Sequence, residues 1–119
     1  MHCDIRAKNI LITNNETAKL ANFKLNRLDT SNKQKTNLDH IRYCAPELLR
    51  RDQYQYNHKC EVYSFGILLW EIAEARIPYE GHDILKIINL VCKEKYLLRF
   101  SENNRISENF KKLTLDGML

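Results

Sequence analysis

The stretch "HKCEVYSFGILLWEIAEA", from His58 to Ala75, constrains the fold more than any other part of the chain. Drawn as a helix, it carries apolar residues on nearly every side, from Val62 through Phe65, Ile67, Leu68, Leu69 and Trp70 to Ile72. A helix apolar all round belongs in the centre of a domain, so the rest of the chain has to wrap it. Gly66 inside it costs about 1 kcal/mol relative to alanine, which predicts a close backbone approach at that point. The 119 residues make one small domain, with no linker, internal repeat or low-complexity tract.

The wrapping elements are legible in outline. "NILIT", "NNE" and "TAKLANF" read as two short strands around an asparagine-rich turn. Leu25 to His40 is polar and predicts a loop. In "APELLRR", Pro46 stands where a helix loses nothing by a missing N–H, and a short helix follows. Pro78 and Gly81 mark a turn, after which Asp83 can cap a helix whose Ile84, Ile87, Ile88 and Val91 share one face. Lys93 and Lys95 sit at its negative end. Ser107 is placed to cap a last helix carrying Phe110 and Leu113, and the chain ends at Leu119 while that helix is still forming. The fold class is therefore mainly α with a small β-hairpin.

Composition narrows the function classes. The 19 Lys and Arg residues exceed the 15 Asp and Glu by four and are scattered, without the basic block of a nucleic-acid arm. Cys3, Cys44, Cys60 and Cys92 form no C-x-x-C pair, which argues against a zinc site or a disulfide framework and for free thiols in a reducing compartment. There is no signal-like N-terminus, and "ILLW" is far too short to span a bilayer. The expectation is an intracellular, cytoplasmic chain with no nucleic-acid or membrane partner.

Order and spacing carry the chemistry. "HCDIRAKN" places His2, Asp4 and Asn9 in the pattern H-x-D-x-x-x-x-N, and "KLANFKL", "CAPELL" and "EVYSFGILLWEI" follow in turn. These four stretches resemble, in order, the catalytic loop, the strand ending in D-F-G, the A-P-E motif and the central helix of eukaryotic protein kinases. The chain resembles the C-terminal lobe of that family, with "YSFGILLWEI" and "IPYEG" closest to the tyrosine-kinase-like branch. The resemblance implies a partial kinase-like lobe over 1–119: catalytic loop 2–9, degenerate D-F-G 22–24, A-P-E 45–47, central helix 58–75 and a truncated last helix.

By motif position the resemblance makes Asp4 the proton acceptor, Arg6 or Lys8 the cation near the transferred phosphate, and Asn9 a Mg²⁺ and nucleotide ligand. Asp4 and Asn9 are equally suited to hydrogen-bonding the loop's own backbone. His2, Phe23, Glu47 and Glu61 fall at structural positions, Glu61 standing where the family usually has an aspartate that anchors the loop. Several departures weigh against catalysis. Asn22 replaces the aspartate of D-F-G, leaving a weak or lost Mg²⁺ ligand, and Lys24 replaces its glycine, adding a positive charge beside the metal site. Cys3 replaces the arginine that receives an activation-segment phosphate, so Thr30, Ser31 and Thr36 lose that route to ordering.

The glycine-rich loop, the strand lysine and its paired glutamate belong to an N-lobe that precedes this stretch in the family, and the arginine expected to pair with Glu47 lies beyond residue 119. The resemblance thus implies Mg and ATP as cofactors that this chain alone does not bind. Three functions follow: a pseudokinase piece serving as a binding surface without phosphotransfer, part of an active protein kinase when an N-lobe is supplied, or a fragment without function. Val62, Phe65, Leu69, Trp70 and Ile72 cannot all be covered by what remains, which predicts a protein partner or self-association through exposed apolar surface.

Overall fold

The computed structural model describes residues 2, 4–21, 38–50 and 56–119. A 3₁₀ turn at Ala7–Asn9 leads into an antiparallel hairpin of β1 (Ile10–Ile12) and β2 (Ala18–Leu20), in register Ile10 to Leu20, Leu11 to Lys19 and Ile12 to Ala18. Thr13 closes its turn: the amides of Thr17 and Glu16 donate to the Thr13 hydroxyl and carbonyl at 3.1 and 2.9 Å, and Glu16 takes a left-handed φ of 60°. Helices α1 (Leu38–Ile41), α2 (Pro46–Leu49), α3 (His58–Glu74), α4 (Ile84–Ile88) and α5 (Glu108–Met118) follow. Among the described residues the fold is mostly helical with one two-stranded sheet, as the sequence predicts.

Side-chain caps set the helix starts. Asn57, Asp83 and Ser107 accept the amides of Cys60, Lys86 and Phe110 at 3.1, 2.7 and 3.2 Å, each satisfying an orphan donor of a first turn. Ala75, with a φ of 51°, ends α3 in the left-handed region. Ile84, Ile87, Ile88 and Val91 do turn toward the core, with Ile87 fully buried, but the helix does not continue regularly. It widens into a π turn over Asn89–Lys93, where the Glu94 amide reaches back five residues to the Asn89 carbonyl.

The core gathers around α3. Cys60, Tyr63, Ile67, Leu68 and Trp70 pack with Ile41, Tyr43, Leu49, Ile87, Val91 and Leu98. Gly66 faces α5 as a close approach: a Cβ there would stand 3.2 Å from the Gly117 carbonyl carbon, the Thr114 oxygen and the Met118 Cγ. Small residues therefore form the α5 seam. Thr114 and Met118 are buried on the side of α5 that meets Gly66, and Leu113 is exposed.

One further expectation changes. The predicted loop 25–40 ends in a helix, since α1 takes Leu38–Ile41; Ile41 is buried, and Asp39 pairs with Arg42 at 3.0 Å. Residues 25–37 of that loop lie outside the described residues. Trp70 is covered, its indole N–H donating to the Arg99 carbonyl at 3.0 Å and the Arg76 guanidinium lying 5.3 Å above its ring. Val62, Phe65 and Ile72 stay open at 54, 47 and 61 % exposure, while Leu69 is intermediate. Among the described residues no helix is long and apolar enough to cross a membrane.

Candidate functional site

The loop 2–9 is tied to both the hairpin and the central helix. His2 donates its backbone N–H to Glu61 of α3 and, through Nε2, bonds the Ala21 carbonyl. Its Nδ1 accepts the Asp4 amide at 3.2 Å, so the ring proton on the other side belongs to Nε2. The Ala21 amide donates back to the Asn9 carbonyl at 2.8 Å. Loop, hairpin exit and α3 are thus one hydrogen-bonded unit, with Glu61 as its anchor on the helix.

Asp4 lies inside this unit at 4 % exposure. Its Oδ2 accepts the Asn9 side-chain amide at 2.9 Å, and the same nitrogen donates to the Asp4 carbonyl at 2.7 Å. Its Oδ1 lies 3.0 Å from His40 Nδ1 and 3.1 Å from Arg6 Nε. Among the described residues Arg6 Nε and Nη1 have no aligned acceptor, so Arg6 acts on Asp4 as a charge. Burial by itself would raise the Asp4 pKa. The His40 hydrogen bond, the Arg6 charge and the Asn9 amide together outweigh it and hold the carboxyl well below the usual carboxylate range.

The remaining sequence-derived residues fall as follows. Lys8 is exposed on the 3₁₀ turn, and Glu47 of α2 accepts the Cys60 thiol at 3.4 Å. Burial, then Glu47, raises the Cys60 pKa. Asn22, Phe23, Lys24 and Cys3 lie outside the described residues, as do Thr30, Ser31 and Thr36.

Sequence reasoning missed His40. Thirty-six positions separate it from Asp4, and it stands in a polar tract with no periodicity, so no local signal marks it. It also missed Tyr43, whose hydroxyl donates to Glu71 at 2.6 Å and whose carbonyl accepts the Ser64 hydroxyl at 2.7 Å, fixing the segment after α1 on α3. Burial and then Glu71 push the Tyr43 pKa up.

Beside the loop, an open hollow of about 400 Å³ is lined by Ile5, Leu20, His58, Glu61, Val62 and Phe65, together with His2. It is mainly apolar and continuous with the uncovered side of α3.

Loop, hairpin, A-P-E helix and central helix occur in the order of one known architecture, and a family profile described as "Protein tyrosine and serine/threonine kinase" matches residues 1–116. The chain belongs to that kinase family. It is 40 % identical over 101 residues to the mixed lineage kinase domain-like protein of Homo sapiens, covering 80 % of this chain and 21 % of the relative. A probable LIM domain-containing serine/threonine-protein kinase of Dictyostelium discoideum is 38 % identical over 94 residues, 78 % of this chain and 14 % of that protein. A serine/threonine/tyrosine-protein kinase of Arabidopsis thaliana is 35 % identical over 82 residues, 68 % and 20 % of the two chains. This kinase-family chain spans about a fifth or less of the curated relatives it matches.

Proposed function

We propose that this stretch of a kinase-family domain acts as a protein-binding surface without phosphotransfer of its own. The observation that carries the reading is the engagement of Asp4, whose two carboxylate oxygens face His40, Arg6 and Asn9 at 2.9 to 3.1 Å. A general base has to reach a substrate hydroxyl and take its proton, and a carboxyl held far below its ordinary pKa has little affinity for one.

The donor set for Mg²⁺ points the same way. By motif position the ligands are Asn9 and Asn22, both neutral amides. Hard cations are held by carboxylates, and Lys24 places a positive charge two residues from Asn22. These residues do not fit the metal. The apolar hollow and the open Val62, Phe65 and Ile72 supply the surface for a protein partner or a second copy.

Thermal unfolding of the purified chain with increasing Mg·ATP tests the reading. A ligand at about a hundred times its Kd stabilises a fold by about 2.7 kcal/mol. Unchanged midpoints at millimolar nucleotide are expected, and a clear rise would overturn it. A second reading, phosphotransfer within a longer protein, rests on the retained Asp4 and Asn9. It requires radiolabel transfer by that longer protein that disappears with Asp4→Ala.

A further inference from the structure

Cys44 follows α1 closely enough for its Sγ to lie 3.9 Å from His40 Nε2. The other nitrogen of that ring, Nδ1, is 3.0 Å from Asp4 Oδ1. An ionised carboxylate only accepts, so the proton on that side sits on Nδ1, and when the ring carries that proton alone its Nε2 presents its lone pair to the thiol. Thiol, imidazole and carboxylate stand in the order by which a cysteine is deprotonated and the resulting imidazolium held. The His40 and Asp4 side chains are 12 and 3 % exposed, so little water competes for these contacts.

The other described cysteines have different partners. Cys60 Sγ donates to the Glu47 carboxylate at 3.4 Å and Cys92 Sγ to the Pro46 carbonyl at 3.7 Å. Oxygen acceptors of this kind keep the proton on sulfur, and burial raises the pKa of both thiols. Among the described cysteines, Cys44 is the one that faces an imidazole, whose basicity lies closer to that of a thiolate than a carboxylate's or a carbonyl's.

We propose that Cys44 is a site of covalent modification by peroxide, with His40 as its proton acceptor and Asp4 as the group that orients the ring. The sulfur lone pair attacks one oxygen of hydrogen peroxide. An S–O bond forms, the O–O bond breaks, and the departing hydroxide takes from His40 the proton that came from the thiol. Cysteine is oxidised by two electrons to the sulfenic acid, and peroxide is reduced to water. The reagent is close to water in size, which suits a residue that keeps 6 % exposure. The proposal is independent of the binding-surface reading, since it needs neither nucleotide nor partner.

Exposure and chemistry rank the thiols differently, and this makes the test decisive. Cys92 is half-buried, Cys44 is 6 % exposed and Cys60 is fully buried, so access alone would put Cys92 first. The whole chain is treated with hydrogen peroxide in the presence of a sulfenic-acid trap, and each cysteine peptide is quantified by mass spectrometry. Cys44 is expected to react faster than Cys92 by on the order of tenfold or more. His40→Gln should remove that advantage and leave the Cys92 rate alone, with Trp70 fluorescence reporting that the fold is kept. Cys44 trailing Cys92 in the folded chain, or keeping its rate in folded His40→Gln, would overturn the proposal. If His40→Gln does not fold, thiolate absorbance at neutral pH in wild type against Cys44→Ser decides: a signal lost with Cys44 supports the relay, and equal spectra refute it.

Discussion

Replacing Gly66 with alanine sets two opposed effects against each other. In the interior of a long helix, the substitution gains about 1 kcal/mol from backbone entropy. At this site the added Cβ meets three atoms of α5 at 3.2 Å, a few tenths of an ångström inside comfortable contact. The Met118 Cγ belongs to a flexible side chain and can move. The Gly117 carbonyl carbon and the Thr114 oxygen are backbone, and yield only if α5 moves as a body. That helix is held by the Ser107 cap and by Thr114, which is fully buried with its hydroxyl donating to the Phe110 carbonyl at 2.9 Å.

Overpacking a closed contact costs about 1–3 kcal/mol, so Gly66→Ala is expected to lose about 1 kcal/mol net. For a chain of this size, that is a fall in Tm of about 4 °C and in the urea midpoint of roughly 0.5–1 M. Gly117→Ala approaches the same seam from the other side, its Cβ 3.3 Å from the Gly66 Cα and 3.4 Å from the Val62 carbonyl oxygen. The double variant should cost less than the sum of the two, because the first alanine has already moved the helices apart. A Gly66→Ala chain that melts above wild type would show that the seam has slack and that the glycine serves no close approach.

Asp83→Ala removes the acceptor of the Lys86 amide and should destabilise the chain by about 1 kcal/mol, read from urea unfolding, with Asp83→Asn recovering most of it. Glu74 supplies a pH test. Burial would raise its pKa, but Ser101, Arg76 and Asn104 bring it from an ordinary 4.5 down to about 2. A carboxyl depressed on folding contributes stability above pH 4.5 that is lost as the pH falls toward 2. The full effect would be about 3 kcal/mol, and the half-exposed Arg76 reduces it to about 1–2. Glu74→Gln should flatten the acid limb of the stability curve between those two values, and an unchanged limb would count against the cluster.

The elements that the sequence revealed are those whose signal is local. Asp83 and Ser107 stand immediately before their helices, the hairpin declares itself by two short strand-like runs around Asn14 and Asn15, and Gly66 is conspicuous within an apolar run. What stayed hidden depends on neighbours far along the chain. Which face of α5 meets the glycine is one example: Thr114, Gly117 and Met118 stand against Gly66, and Leu113 is exposed. That Trp70 is the covered member of the central helix's apolar set depends on the Arg99 carbonyl and the Arg76 guanidinium, 29 and 6 positions further along. In the site, Asp4, Asn9 and Glu61 were visible through motif order, whereas His40 and Cys44 acquire their meaning only when α1 is set beside the loop.

That juxtaposition bears on the central question for this kinase-family chain, whether Asp4 is available as a base. A general base works best with a pKa near the working pH, and each unit below it weakens the driving force for proton uptake by about 1.4 kcal/mol. Desolvation would move Asp4 in the useful direction, and His40, Arg6 and Asn9 move it the other way. To serve a substrate hydroxyl, Asp4 would have to give up His40 or Arg6 on Oδ1, or Asn9 on Oδ2. Breaking one partner of a hydrogen-bonded group buried at this depth costs about 1–3 kcal/mol before any chemistry begins. The Glu61 and Ala21 contacts meanwhile fix His2 and the loop, so the carboxylate has little freedom to swing out. On the proposed binding-surface function, the arrangement that stabilises the shape of the loop opposes proton transfer from a substrate, and the same His40 that occupies Asp4 faces the Cys44 thiol.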